Sequence, residues 1–392
     1  MPERAAAAAA VDPFDEVSLE LLRSRRSAKW TTYGPEVLPA WVAEMDFALA
    51  LPIREALQHA IARDDTGYAQ PGRLFTAFAG FAASRFRWEV DPAGVRLVAD
   101  IMSGVAELLR ALTAPGDAVV VNPPVYPPFF VVTRSTGRRV VEAPLAPDDD
   151  GWRLDLEGLE RAFAGGARAY LLCHPHNPTG TSFDRAQLEA VAELAAEHGV
   201  AVIADEVHAP LTLAGAVHVP YLSLGGPAAE YGVALGSASK AWNIAGLKCA
   251  LIVTASGRMR ATLAEQLPEH LAVHAGHLGV LASIAAFEHG GEWLDALLRH
   301  LDANRRTLGE LLADRLPAGR YLPPQAGYLA WLDCRALGLG DDPAAAFLER
   351  GQVALSQGPL FGEQGRGFAR LNFGTSSTLL DQAVRRMAAA VL

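Results

Sequence analysis

Val200-Ala201-Val202-Ile203-Ala204-Asp205 and Val233-Ala234-Leu235-Gly236-Ser237-Ala238-Ser239-Lys240 decide the fold of this chain. Each opens as a short, unbroken apolar run and closes on polar residues. A continuous run of that length fits a strand buried on both faces of a parallel sheet, where polar alternation is lost. The pattern recurs in Ala118-Val119-Val120-Val121, before Asn122-Pro123-Pro124, and in Tyr170-Leu171-Leu172-Cys173, before His174-Pro175-His176. Helical periods lie between the runs. Leu188, Val191, Ala192 and Ala195 fall at i, i+3, i+4 and i+7, and Gly199 stands where a helix C-cap belongs. Strand and helix in alternation imply right-handed βαβ crossovers and an α/β fold whose ligands gather at the carboxyl ends of the strands.

Outward from this centre the pattern changes. Beyond about residue 290 a long helix is expected around 293–312, then short strands near 328–332 and 369–373 and a last helix. The 392 residues exceed what one core usually holds, and 51% hydrophobic against 20% charged excludes general disorder. The expected division is an N-terminal segment, 1–48, packing with a small domain at 289–392, and a large domain at 49–288. A net charge of -10 argues against nucleic acid and anionic membrane partners. Cys173, Cys249 and Cys334 are odd in number with no CxxC pair, which suits a reducing cytoplasm. The first residues, with six alanines at 5–10, lack the apolar core of a secretion signal and read as a frayed terminus. No run of some 18 uncharged apolar residues is present to span a bilayer.

Chemistry concentrates where the strands end. Lys240 follows a buried strand in a loop of small residues, an unusual place for a lysine and a suitable one for an amine that condenses with carbonyls such as pyridoxal phosphate. Lys248 is a second cation that could meet a phosphate or remain solvated. Asp205 is costly to bury without a partner, and a pyridinium nitrogen supplies one; a helix cap or an internal ion pair is the alternative. Asn177 could bond a ring oxygen or simply shape a turn. His174, His176 and His208 come without the spacing of a metal site, so no metal is expected. Ser103-Gly104-Val105 opens a helix carrying Val105, Leu108, Leu109 and Leu112 on one face, and free amides there suit a phosphate. Tyr126 could stack on a planar ring or pack. Arg370, alone in the apolar run Ala369-Arg370-Leu371-Asn372-Phe373, wants a carboxylate, from an amino-acid substrate or from the protein itself.

Taken together, Asn177-Pro178-Thr179-Gly180, Asp205-Glu206-Val207-His208 and Ser237-x-Ser239-Lys240 with Gly246 resemble, in order, the motifs of fold-type-I pyridoxal-phosphate enzymes of the class I/II aminotransferase superfamily. The resemblance runs from about Phe14 to the end. It is closest to the cystathionine β-lyase or C–S lyase branch, the MalY/PatB type, through Arg26-Ser27-Ala28-Lys29-Trp30, Trp41-Val42-Ala43-Glu44-Met45-Asp46-Phe47 and Gly358-Pro359-Leu360-Phe361-Gly362. It implies a large domain with a mostly parallel central sheet flanked by helices, plus a smaller α/β domain. It makes Lys240 the cofactor-bearing and catalytic lysine and Asp205 the pyridinium partner. Asn177 and His208 would meet the ring oxygen, and Tyr126 would stack on the ring. Gly104, Val105, Ser237 and Lys248 would hold the phosphate. Tyr68 would reach the phosphate of a neighbouring subunit in a homodimer with shared sites. Arg370, Asn177 and Val42 would bind the amino-acid substrate. Glu44 stands where the branch usually has Asp, and Lys248 where many aminotransferases have Arg; His208, in place of their Tyr, favours the lyase. None of the three cysteines falls on a matched catalytic position. The implied reaction is β-elimination from L-cystathionine or related cysteine S-conjugates, giving a thiol, pyruvate and ammonia. Transamination between an L-amino acid and a 2-oxo acid is the alternative.

Overall fold

A computed structural model describes residues 14–148 and 151–391; the alanine run at 5–10 lies outside the described residues. Seven strands form the central sheet in the order Val95–Val98, Ala250–Val253, Gly232–Gly236, Ala201–Asp205, Ala167–Cys173, Ala118–Val121 and Arg139–Glu142. Ala250–Val253 runs antiparallel to both neighbours, and every other pair is parallel. The four apolar runs read from the sequence are adjacent strands in this sheet, buried almost throughout because helices cover both faces. The antiparallel Ala250–Val253 and the two edge strands escaped that reading. Arg96 interrupts one, while Arg139 and Glu142 end the other, and charges of this kind protect a sheet edge.

Helix Arg185–His198 shows how local chemistry sets the crossovers. Asp184 caps its start by accepting the Gln187 N–H, and Gly199 ends it at φ +65, where a side chain would be strained. The next strand then pairs in register, Cys173 opposite Asp205 and Asp205 opposite Leu235. Three neighbouring strands therefore deliver their following loops to one place.

The second sheet is antiparallel, in the order Arg320–Tyr321, Leu329–Asp333, Phe368–Asn372 and Ser356–Gln357. Helices Gly291–Arg315 and Ser377–Val391 belong to the same C-terminal part. The N-terminal segment joins it: Leu38–Pro39 pairs in parallel with Val353–Ala354. Segment 41–46 is then pinned from several sides. Asn372 Nδ2 donates to the Val42 and Glu44 carbonyls, each at 2.7 Å, and Asn243 brackets both backbone groups of Met45. Beneath it Lys29 Nζ meets Asp46 Oδ2 at 2.7 Å in an almost fully buried ion pair, with Trp30 Nε1 on the other carboxylate oxygen. No helix among the described residues is long and apolar enough to cross a membrane.

Candidate active site

The strand ends open on a cavity of about 300 Å³. Tyr126, Asn177, Asp205, His208, Ser237, Lys240 and Lys248 all line it, so most of the residues singled out from the sequence come together. The Lys240 amine donates to the Ala43 carbonyl at 2.9 Å, from the pinned N-terminal segment. Burial, with the nearby Arg370 guanidinium acting in the same direction, lowers its pKa to about 8 against the pull of Asp205 and Glu44. A lysine so placed is a far better nucleophile near neutrality than a solvated one.

Asp205 ends its strand facing the same space. One oxygen accepts the Val207 N–H at 3.1 Å, yet burial pushes the carboxyl up to about 6. A cation beside it would hold it ionised. His208 is pushed down to about 3 by burial, with Lys240 and Arg370 adding to the effect, so it is a neutral imidazole; its Nδ1 finds no partner in the protein. Tyr126 offers a half-buried ring, and burial raises its hydroxyl pKa to about 12. Cys173 and Cys249 also line the cavity, but burial raises both thiols, that of Cys249 to about 11, and neither is poised as a nucleophile.

Arg370 adjoins the cavity through Asn177, which lines it. Its Nη1 donates to Asn177 Oδ1, and its Nη2 to the Trp41 carbonyl and Ser356 Oγ, all at 2.9 Å. The guanidinium is 6% exposed and its Nε has no acceptor. No carboxylate of the protein pairs with it among the described residues, which removes the internal salt bridge as an explanation of this buried charge.

The helix start at one end of the cavity differs from the sequence reading. The helix runs Ile101–Leu112 and starts at the Asp100 cap, whose Oδ1 accepts the Ser103 N–H at 2.8 Å. Gly104 and Val105 are therefore inside the helix. The Gly104 amide is spent on the Asp100 carbonyl at 2.9 Å, and a Cβ on Gly104 would strike Leu235 at 2.6 Å, so this glycine serves helix–sheet packing. Val105 is fully buried in the core. The first-turn amides without intrahelical acceptors are those of Ile101 and Met102, which line the cavity. An Asp immediately before the first apolar helical residue was the signal that would have moved the start. Ser237 lines the cavity too, but its hydroxyl donates to the Cys249 carbonyl at 2.6 Å and accepts the Ser239 N–H, so it shapes the turn. Lys248 is held at this end by Asp100 Oδ2 at 2.9 Å. Val42 does not line the cavity, where its neighbour Ala43 does; what Val42 contributes is its carbonyl, bonded by Asn372. Tyr68 lies on the surface, 84% exposed and away from the cavity of its own chain. Ala43 left no side-chain signal to read, because it acts through its carbonyl.

A lysine amine of lowered pKa, a carboxylate awaiting a cation, an orphaned imidazole nitrogen and free helix amides opposite suit a planar, phosphorylated carbonyl cofactor. The buried Arg370 Nε, aimed at no protein acceptor, suits a substrate carboxylate. Such a site on an α/β sheet defines a class of amine-transforming enzymes. The family model for class I and II aminotransferases matches residues 45–387, and the chain belongs to that family. It is 44% identical, over 97% of its own length and 98% of the relative's, to a Mycobacterium leprae protein provisionally named a cystathionine β-lyase. It is 35% identical to the Bacillus subtilis cystathionine β-lyase PatB, covering 93% and 97% of the two chains. A Corynebacterium diphtheriae crystal structure, provisionally described as a pyridoxal-phosphate-dependent β-cystathionase, superposes with a TM-score of 0.89 at 35% identity, covering 95% and 98%.

Proposed function

We propose that this chain is a pyridoxal-phosphate-dependent carbon–sulfur β-lyase that cleaves L-cystathionine or related cysteine S-conjugates to a thiol, pyruvate and ammonia. The observation that carries the reading is the Lys240 amine, its pKa lowered to about 8 by burial, in one cavity with Asp205. The names of the relatives, cystathionine β-lyase at 35–44% identity, support the lyase over transamination.

When bound, the cofactor supplies an electron sink for the charge left at the substrate Cα. The chain's own groups do the rest. Lys240 would hold the cofactor's carbonyl carbon and, once displaced by the substrate amine, take the Cα proton onto Nζ. Asp205 would keep the ring nitrogen protonated, and the Tyr126 ring would form one wall. Asn177 and the neutral His208 would meet the ring oxygen. The Ile101 and Met102 amides, with Lys248, would hold the phosphate. Arg370, fixed by Asn177, Trp41 and Ser356, would hold the substrate carboxylate, so that the Cα–H bond stays aimed at Lys240. Proton removal at Cα then expels the thiolate from Cβ, and water converts the three-carbon remainder to pyruvate and ammonia.

The same reading divides the chain into a large domain at 49–288 and a small one at 289–392 completed by 1–48, which the pairing of Leu38–Pro39 with Val353–Ala354 supports. It makes the protein a cytoplasmic homodimer. Exposed Tyr68 would serve the phosphate of the partner subunit, and exposed Leu51 and Ile61 lie on the nearby helix Leu51–Ile61. Mixing inactive Tyr68→Phe and Lys240→Ala chains should restore activity if sites are shared between subunits. A panel of L-cystathionine, S-alkylcysteines and ordinary amino acids tests the activity. Thiol release from the sulfur compounds supports it; amino-group exchange with an added 2-oxo acid, without thiol, overturns it.

A further inference from the structure

Asp100 puts a carboxylate in a place otherwise built for an anion. It caps the helix through Ser103, and its other oxygen receives Lys248 Nζ at 2.9 Å. Both side chains line the cavity beside the Ile101 and Met102 amides. The Ser103 bond fixes the carboxylate independently of Lys248, so it stays at this end wherever the lysine points. Burial works against its charge, but the bonds from Ser103 and Lys248 win and hold its carboxyl below the ordinary aspartate range. It is therefore ionised at neutral pH. A phosphate ester brings a charge of about -1.5 to -2 there. The chain offers about half a positive charge from the helix end, plus the Lys248 ammonium. Asp100 offsets most of that lysine.

We propose that Asp100 sets how tightly this enzyme keeps its phosphorylated cofactor: it shares the Lys248 ammonium with the phosphate and repels the phosphate across the same helix end, weakening retention. This rests on the pyridoxal-phosphate reading of the cavity. Asp100 touches no reacting atom, so its effect belongs to cofactor affinity and not to turnover of the loaded enzyme. Capping needs only a side-chain oxygen, whereas the attenuation needs the charge.

The test is titration of the cofactor-free protein with pyridoxal phosphate and, separately, with unphosphorylated pyridoxal, following the absorbance that Lys240 gives its bound ligand. Asp100→Ser keeps a capping oxygen and removes the charge. It should bind pyridoxal phosphate about tenfold more tightly, equivalent to about 1.4 kcal/mol, and leave pyridoxal unchanged. Its affinity should also fall more steeply with salt than that of the wild type, because the site is more positive. Unchanged or weaker pyridoxal-phosphate binding overturns the proposal, as does equal tightening of pyridoxal. Asp100→Asn, nearer in size, gives the same reading should the serine variant fold poorly. A wild-type protein that takes up no pyridoxal phosphate would instead overturn the cofactor reading itself.

Discussion

Replacing Arg370 with alanine separates substrate binding from the chemistry at Lys240. Three of its five N–H donors are bound by Asn177, Trp41 and Ser356, and Nε is unpaired. The site is buried, so a carboxylate bound there exchanges hydration for charge-assisted hydrogen bonds, each worth about 1.5–3 kcal/mol. Loss of one or two such bonds costs about 2–5 kcal/mol, or roughly 30- to 5,000-fold in kcat/KM. In the proposed role the carboxylate would be held before and during the reaction, so most of the loss should fall on KM. A second effect has a definite sign. The Arg370 charge lowers the Lys240 pKa, so its removal must raise that pKa above about 8. The assay is steady-state pyruvate formation from L-cystathionine across pH, beside cofactor uptake by the cofactor-free protein. A KM within threefold of wild type, or a Lys240 titration that moves toward acid, would refute the placement of Arg370.

Cofactor capture by the unloaded wild-type protein should rise as pH passes through about 8, because only the neutral Lys240 amine attacks a carbonyl; a midpoint near 10 would mean a solvated lysine. Lys29→Met removes one member of a buried ion pair and strands the Asp46 charge, costing about 3–5 kcal/mol in urea unfolding. A loss under about 1 kcal/mol would show that the Trp30 N–H alone is enough to hold Asp46. Gly180→Ala places a side chain at φ +70 with its Cβ 2.2 Å from that of Pro324, in the loop that holds Asn177. Destabilisation of about 1–3 kcal/mol with reduced activity is expected, and a neutral variant would contradict the rigidity assigned to that loop.

How much of this was legible in the sequence depends on the element. Four inner, parallel strands were, because burial on both faces leaves unbroken apolar runs such as Val119-Val120-Val121, whereas the antiparallel inner strand Ala250–Val253 was not picked out. The edge strand Arg139–Glu142 was not, since solvent on one side admits charge and erases the signal. Lys240, Asp205 and Asn177 could be found because each is a polar residue at, or within four residues of, the carboxyl end of a buried strand. The start of the helix Ile101–Leu112, and with it the free amides, was placed too late, at Gly104 and Val105. Ser-Gly looks like a helix start, while the true cap, Asp100, follows an edge strand that Arg96 hides from the sequence pattern. Ala43 could not be found at all. A backbone carbonyl that receives both Lys240 and the Tyr328 hydroxyl leaves no trace in residue type.

Elimination and transamination share the same first proton transfer, and they part only in what leaves. The decisive measurement is therefore the stoichiometry of products from L-cystathionine in the presence of excess 2-oxoglutarate, with Lys240→Ala as control. The account predicts thiol and pyruvate in equal amounts, no glutamate, and nothing from the variant. Glutamate formed without thiol, or full-rate turnover by Lys240→Ala, would contradict it.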